Sequence, residues 1–572
     1  MNKSFWPRMS VFLFLLMANG LFSSSDFTAQ DRYPKMEVAS NPGFSPLAES
    51  PVSMVTTAFP TATRAGLEML RRGGNAMDAT IAATLVTAVV DTGLTTLAGG
   101  GQITYYDAET RTTTTINCEP HAFREDVMPY NRERDDLTGR SIRVPGTLGG
   151  FFYAILKYGA LGWDEVLEPA IHYAEKGFVI HGYAYHKLWT LYDKLTIRPS
   201  SLKMFAPGGF LPPPGAVFKQ PEMAETLKKV AQEGPDYFYR GPFAEKMVGA
   251  IREIGGKATL EDFASYKAME LKPIRGVYKD YRILGPPPPA YGAACIIEGM
   301  NILELVGLQE MGHYTESPDA LQWVIETLRV IYGDNAKYCG IQEFDQALAK
   351  ILTSTDYARR RYQFIRHKIE QMKKSKKASP YPATTTSFRA ENAEETGLGT
   401  HQVSAVDRDG NICSLTHTVY GGNYGTAGLF VGGISLNGAG MFRAQPGERI
   451  VSPVCPLIVF KGEKPYFATG SSGSILNTFF TTLNVIVWEM NLKEAQEAPR
   501  LRPPDGHSVK IENRIEDHVA RELKQRGYRF EWAGPYSYPF GGAQMVGIDP
   551  ETAVRYGATD PRFLGLAAGE KK

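Results

Sequence analysis

The sequence of 572 residues predicts an α+β fold, with helices and strands mixed in no regular alternation. Three observations predict it. The stretch from Gly149 to Gly340 has mainly helical periodicity, as in Trp163–Lys176, Glu222–Glu233, Phe243–Ile254 and Pro318–Tyr338. Strand-like pairs lie on both sides of that stretch, at residues 103–117 and 401–420. The order of segments lacks the strand-helix-strand repetition of a doubly wound sheet, and no internal repeat is evident.

Taken in order, the chain opens with Lys3 and Arg8 ahead of an apolar run, Val11–Phe22, too short and too abruptly ended to span a bilayer comfortably. Residues 1–30 therefore read as a signal peptide, with an uncleaved anchor as the alternative. The mature protein is expected in the periplasm or secreted, with no stable membrane span. Between residues 61 and 92, Ala65, Leu67 and Leu70 precede Gly73-Gly74, and Ala76, Ile81, Leu85 and Val89 follow. This spacing predicts two helices broken at the paired glycines. Gly99-Gly100-Gly101 leads into the strands Ile103–Tyr106 and Thr112–Asn117. Neither a Lys-Ser/Thr nor a dinucleotide spacing follows the glycines, so close backbone packing is expected rather than a phosphate cradle. Lys373–Gly399, rich in Lys, Ser, Thr, Pro and Glu, reads as an exposed linker. From Ile458 onward short strands and turns return, with one helical run at Ile475–Glu489.

Sixty-two basic and 61 acidic residues leave a net charge of +1, and no basic stripe interleaved with aromatics stands out, so no nucleic-acid partner is expected. An apolar fraction of 43% can supply a sizeable core. The five cysteines, at 118, 295, 339, 413 and 455, match no zinc spacing and cannot all pair. They read as small buried hydrophobes, with one pair among Cys118, Cys413 and Cys455 left open. No His-Glu-x-x-His or Cys/His cluster occurs, so neither metal nor cofactor is expected.

The chemistry is concentrated at Thr400–Tyr420. Two β-prone runs, His401–Val406 and Ile412–Tyr420, flank Arg408-Asp409-Gly410. A two-residue turn would set Thr400 opposite Val419. A three-residue turn with Gly410 left-handed would set Thr400 opposite Thr418, with Cβ atoms about 5 Å apart. A Thr hydroxyl needs a base to become a nucleophile, and only His401 adjoins it. One solution makes the Thr a chain terminus, whose α-amine titrates near ~7.7–8.0. That requires a break between Gly399 and Thr400, after the linker. An ordinary hairpin is the plainer reading of the same pattern.

Thr400–Asn411 followed by Thr416-x-Thr418 resembles the start of the small subunit of the γ-glutamyltransferases, a family of N-terminal-nucleophile hydrolases. Segments in the family's order extend the resemblance over residues 50 to 567: Gly73–Ala79, Ala98–Gly101, Val144–Thr147, Pro286–Pro288, Ala498–Arg500 and Gly557–Arg562. The resemblance implies a four-layer αββα sandwich. It also implies a large subunit of residues 31–399, mostly helical with part of the sandwich, and a small subunit of residues 400–572. Thr400 would attack the Gly399 carbonyl to cut the precursor, then attack a small-molecule amide or peptide. Thr418 matches the Thr that hydrogen-bonds the nucleophile, and Thr416 and Tyr420 share its face by strand alternation. Gly473 and Ser474 stand where the family's oxyanion-binding pair does.

The substrate pocket departs from the family pattern. The residue expected to hold a glutamyl α-carboxylate, an Arg, is Glu119 here. The acidic anchor for the α-amine falls near Arg443, the hairpin Asn is Tyr420, and of two serines only Ser452 is kept. Glu119 and Arg443 could exchange polarity or form a salt bridge that fills the pocket, and Arg124 is a candidate substitute anchor. Only Gln445–Val451 stands where many relatives carry a lid, and an open site favours hydrolysis over transfer. These residues point to a self-cleaving amidase for γ-glutamyl or related acyl amides. The rival is a non-catalytic scaffold whose pocket has decayed.

Overall fold

The computed structural model describes residues 47–126, 129–339, 344–375, 399–473 and 475–571. Residues 1–30 and most of the linker fall outside them. Two large sheets form, each of seven strands, and every pairing within them is antiparallel. The first runs in the order Leu566–Ala568, Met54–Thr57, Thr400–Val406, Ile412–Thr418, Gly100–Asp107, Thr112–Asn117, Met269–Leu271. The second runs Ala48–Ser50, Arg555–Thr559, Gln544–Ile548, Lys464–Thr469, Leu457–Lys461, Tyr281–Gly285, Ile274–Tyr278.

The sheets stack face to face on a small apolar cluster. Met54, Tyr106, Val406 and Ile412 of the first meet Ile458, Phe460, Ala468 and Val546 of the second. Helices Pro60–Arg71 and Ala76–Val90 cover the outer face of the first sheet. Helices Gly292–Val306, Pro318–Asp334 and Ile475–Trp488 cover the second, around an extensive apolar core. Ala76–Val90 is buried along its whole length, which is why its pattern is apolar all round. Helix, sheet, sheet, helix is the αββα sandwich that the resemblance implied. Among the described residues no helix is long and apolar enough to cross a membrane.

The helical middle needs one correction. It contains the hairpin Ile274–Tyr278 and Tyr281–Gly285, at the edge of the second sheet. Its strands are five residues each, alternately buried and exposed, and too short to stand out beside the long helical runs. The tail likewise carries two short helices, Leu492–Glu497 and Asp517–Gln525, beyond the one expected.

Two of the recognised segments converge on a buried ion network. Arg500 pairs with Asp560, while Arg562 reaches Asp560 Oδ1 at 3.1 Å and Glu512 Oε2 at 2.5 Å. Arg500 also donates to the Gly541 carbonyl (2.8 Å), and Asp560 accepts from Ala543 N (3.1 Å). Gly542 N in turn donates to Ser472 Oγ (2.9 Å), so the network braces the loop 470–473. Arg500→Met would leave Asp560 short of a buried partner. We expect a loss of about 3–5 kcal/mol of stability, read as a lower denaturant midpoint.

Candidate active site

The turn of the Thr400 hairpin decides the register. Asp407 N donates to Asn411 O (3.2 Å), and Gly410 takes a φ of 89°, a left-handed conformation open to glycine. The loop therefore has three residues, and Thr400 pairs with Thr418. Asp407 holds this turn shut: its Oδ1 accepts from Asp409 N and Asn411 N, both at 3.0 Å. Its Oδ2 accepts from Ala76 N (3.0 Å), at the start of the Asn75-capped helix. The Gly73–Ala79 segment thus clamps the hairpin from behind.

Alternation places Thr400, Gln402, Ser404 and Val406 toward the second sheet, paired with Thr418, Thr416, Ser414 and Ile412. Polarity rises along this face toward Thr400. Val406 and Ile412 lie in the inter-sheet cluster, and Ser404 and Ser414 donate to Gln544 O (3.1 Å) and Thr469 O (3.2 Å). Gln402 accepts from Thr416 Oγ1 (2.5 Å) and donates to both serines (2.9 Å). Gly470 lies on this ladder, and a Cβ there would come within 2.1 Å of Gln402 Oε1. The Gly470–Gly473 loop therefore starts one residue pair from Thr400, and Gly473 has a φ of 83°. It leads into the helix Ile475–Trp488; Ser474 lies outside the described residues.

At the end of the ladder Thr400 is half-buried and Thr418 buried. Thr418 Oγ1 accepts from Tyr420 N (3.0 Å) and donates to the Gly399 carbonyl. The hydroxyl is thus oriented by one neighbour and aimed at the bond preceding Thr400. Close backbone packing fixes the strand behind it, as the triple glycine predicts. A Cβ on Gly99 would lie 2.3 Å from Thr418 O, and one on Gly101 2.4 Å from Thr416 O.

The opposite face carries His401 and His417, both fully buried and pushed down to about 3, chiefly by desolvation. His417 Nε2 lies 2.8 Å from Thr96 O and 3.1 Å from Thr147 Oγ1, so the neutral ring carries its proton there. His401 Nε2 is 3.6 Å from Asp91, whose carboxyl burial raises to about 7. Because both imidazoles are neutral and face away from the ladder, His401 is a packing residue rather than a base for Thr400.

The pocket residues group differently from expectation. Strand Ile412–Thr418 ends before Tyr420, whose φ of 60° takes it out of the alternation. Its ring packs on Phe442 (centroids 4.8 Å), and its hydroxyl donates to Glu119 and lies 3.2 Å from Ser452 Oγ. Glu119 also accepts from Gln102 Nε2 (3.3 Å), a partner that sequence reasoning missed despite its polar side chain at a buried strand position. Arg443 forms no salt bridge with Glu119. Arg443 is exposed, and the carboxyl of Glu119 is held by hydroxyl and amide donors. Arg124 pairs with Glu261 (2.7 Å) at the surface, so it is no substitute anchor. The segment in place of a lid is tied to the chain at Pro120–Ala122, with Ala122 N donating to Glu448 O (2.8 Å) and Ile450 N to Pro120 O (3.0 Å). Cys118, Cys413 and Cys455 are buried and free, and Cys295 is buried.

Residues 62–569 match the family model for Gamma-glutamyltranspeptidase. The chain belongs to that family. It is a gamma-glutamyltranspeptidase-family amidohydrolase and acyltransferase, and the scaffold reading is not supported. A "Glutathione hydrolase proenzyme" of Bacillus subtilis (strain 168) is 30% identical over 547 residues, covering 90% of this chain and 91% of the relative. An "Acylase ACY 1 proenzyme" of a Pseudomonas species (strain SE83) is 29% identical over 508 residues, covering 83% and 87%. The crystal structure of a cephalosporin acylase from Bacillus halodurans superposes with a TM-score of 0.81 over 94% of this chain and 99% of its own, at 24% identity. That likeness concerns the fold.

His417 gives a pH prediction. Its folded-state pKa lies below the ordinary 6.5, so between pH 6.5 and about 3 the unfolded chain binds a proton that the folded one refuses. Its contribution to stability is present above pH 6.5 and lost on acidification. In His417→Gln the fall in denaturant midpoint between pH 6.5 and 4 should be shallower by one proton's worth of slope.

Proposed function

We propose that the chain is a precursor that cuts itself between Gly399 and Thr400, and then cleaves amides through an acyl ester on Thr400. One observation carries this reading: the Thr418 hydroxyl is directed at the carbonyl of Gly399, next to the paired Thr400. A hydrogen bond to that oxygen draws electron density from the carbonyl carbon and stabilises the oxyanion formed on attack. Thr400 Oγ adds to the carbon, its proton passes to the Thr400 nitrogen as the C–N bond breaks, and the acyl group moves from nitrogen to oxygen as an ester. Water cleaves the ester, leaving the Gly399 carboxylate and a free Thr400 α-amine.

The same groups then serve a second acyl donor. The α-amine takes the hydroxyl proton as oxygen attacks the amide, and passes it to the leaving amine. Water releases the acyl group as acid, or an acceptor amine releases it as a new amide. Thr418 and the amides at Gly473 and Ser474 are the oxyanion donors in this reading. The proenzyme names of the relatives support it. The charged start and short apolar run of residues 1–30 support export to the periplasm or beyond.

Purified protein should run as two fragments, the smaller beginning Thr-His-Gln-Val, whereas Thr400→Ala should remain a single chain. Uncut wild-type protein would refute the mechanism. Thr418→Val keeps the shape and removes the donor. It should slow the cut by about 10²–10³-fold in a gel time course, with Thr418→Ser largely restoring it.

A further inference from the structure

We propose that the acyl side of this site selects compact acyl groups bearing no carboxylate, because a buried carboxyl, Glu119, closes it. This rests on Thr400 being the nucleophile. Thr400, Thr418 and Gly100 form one row across three adjacent strands, in register. Strands lie about 4.8 Å apart, so Gly100 Cα is about 10 Å from Thr400 Cα, with its Cβ direction on the same face. A Cβ there would lie 3.0 Å from Glu119 Oε2 and 2.3 Å from Pro120 Cδ. The Glu119 carboxyl therefore sits on the nucleophile's face of the sheet, two strands away.

That carboxyl is fully buried, and its ionisation is pushed up by desolvation, against the pull of its hydrogen bonds. Tyr420 and Gln102 cap its oxygens, and Ser452 backs Tyr420. Arg449 does not neutralise it directly: its guanidinium binds the Glu119 backbone carbonyl and Tyr266 Oη (2.9 Å). From that position Arg449 acts on the Glu119 carboxyl only at a distance. An acyl chain of four or five atoms would reach from Thr400 to this wall. A carboxylate at its far end would meet the Glu119 carboxyl, of its own charge once ionised, with Arg449 already engaged by the Glu119 carbonyl and Tyr266, and a longer chain would meet the Tyr420 ring. An uncharged chain loses nothing there.

The test compares butyryl, glutaryl and γ-glutamyl p-nitroanilides with the mature enzyme, after a gel has confirmed the cut before Thr400. Uncut protein would refute the Thr400 reading itself. In cut protein, kcat/KM for the butyryl compound should exceed each of the others by about tenfold or more, a margin of one decade per 1.4 kcal/mol. Either carboxylate-bearing anilide equalling it, or no turnover of any of the three, would overturn the proposal. The glutaryl-to-butyryl ratio should also fall as pH rises through the Glu119 ionisation, and Glu119→Gln should abolish that fall. Tyr420→Phe, which removes a donor from the carboxylate, should move the fall to higher pH. Identical pH dependence in wild type and both variants would place the discrimination elsewhere.

Discussion

The pairing of Thr400 with Thr418 is the constraint on which the site depends, and it is set at the far end of the hairpin. Antiparallel register has a period of two, so a shift of one residue would turn every side chain of the strand to the other face. Such a shift would put His401 among the ladder residues and bury Thr400 against the helices. Gly410 permits the three-residue turn, and Asp407 locks it with three backbone donors, one of them the first amide of the Ala76–Val90 helix. A carboxylate seven residues away thereby determines which group faces Gly399.

The recognised segments can be understood as parts of that same alignment. Val144–Thr147 brings two amides to Gly99 O and a hydroxyl to His417, fixing the third strand against the hairpin. Ala498–Arg500 and Gly557–Arg562 meet in the ion network behind the loop 470–473. Buried charge networks are costly unless fully satisfied, and this one is tied into backbone carbonyls and amides as well as its own partners. It braces the loop whose amides are proposed as oxyanion donors.

The hairpin, the paired helices at Gly73-Gly74 and the close packing of Gly99–Gly101 were legible in the sequence, because each is local: turn chemistry, helical period, absent side chains. The edge hairpin Ile274–Gly285 was not, because its short alternation acquires meaning only against the Leu457–Lys461 strand nearly two hundred residues on. The pocket was legible as residue types and illegible as partners. Glu119 and Arg443 suggest an ion pair on paper. The left-handed turn at Tyr420 instead swings a phenol under Glu119 and leaves Arg443 in solvent. Strand alternation could not foresee this, since it assumes that the strand continues.

A single proton donor can serve only one acceptor at a time. While the Gly399 carbonyl occupies the Thr418 hydroxyl, no other acyl compound can use it. Under the proposed cut before Thr400, the uncut chain is its own resident inhibitor, and scission is a one-shot event that vacates the seat. In the proposed scheme maturation and turnover are thus separated in time twice over, since the cut both vacates the Thr418 hydroxyl and frees the α-amine that serves as base.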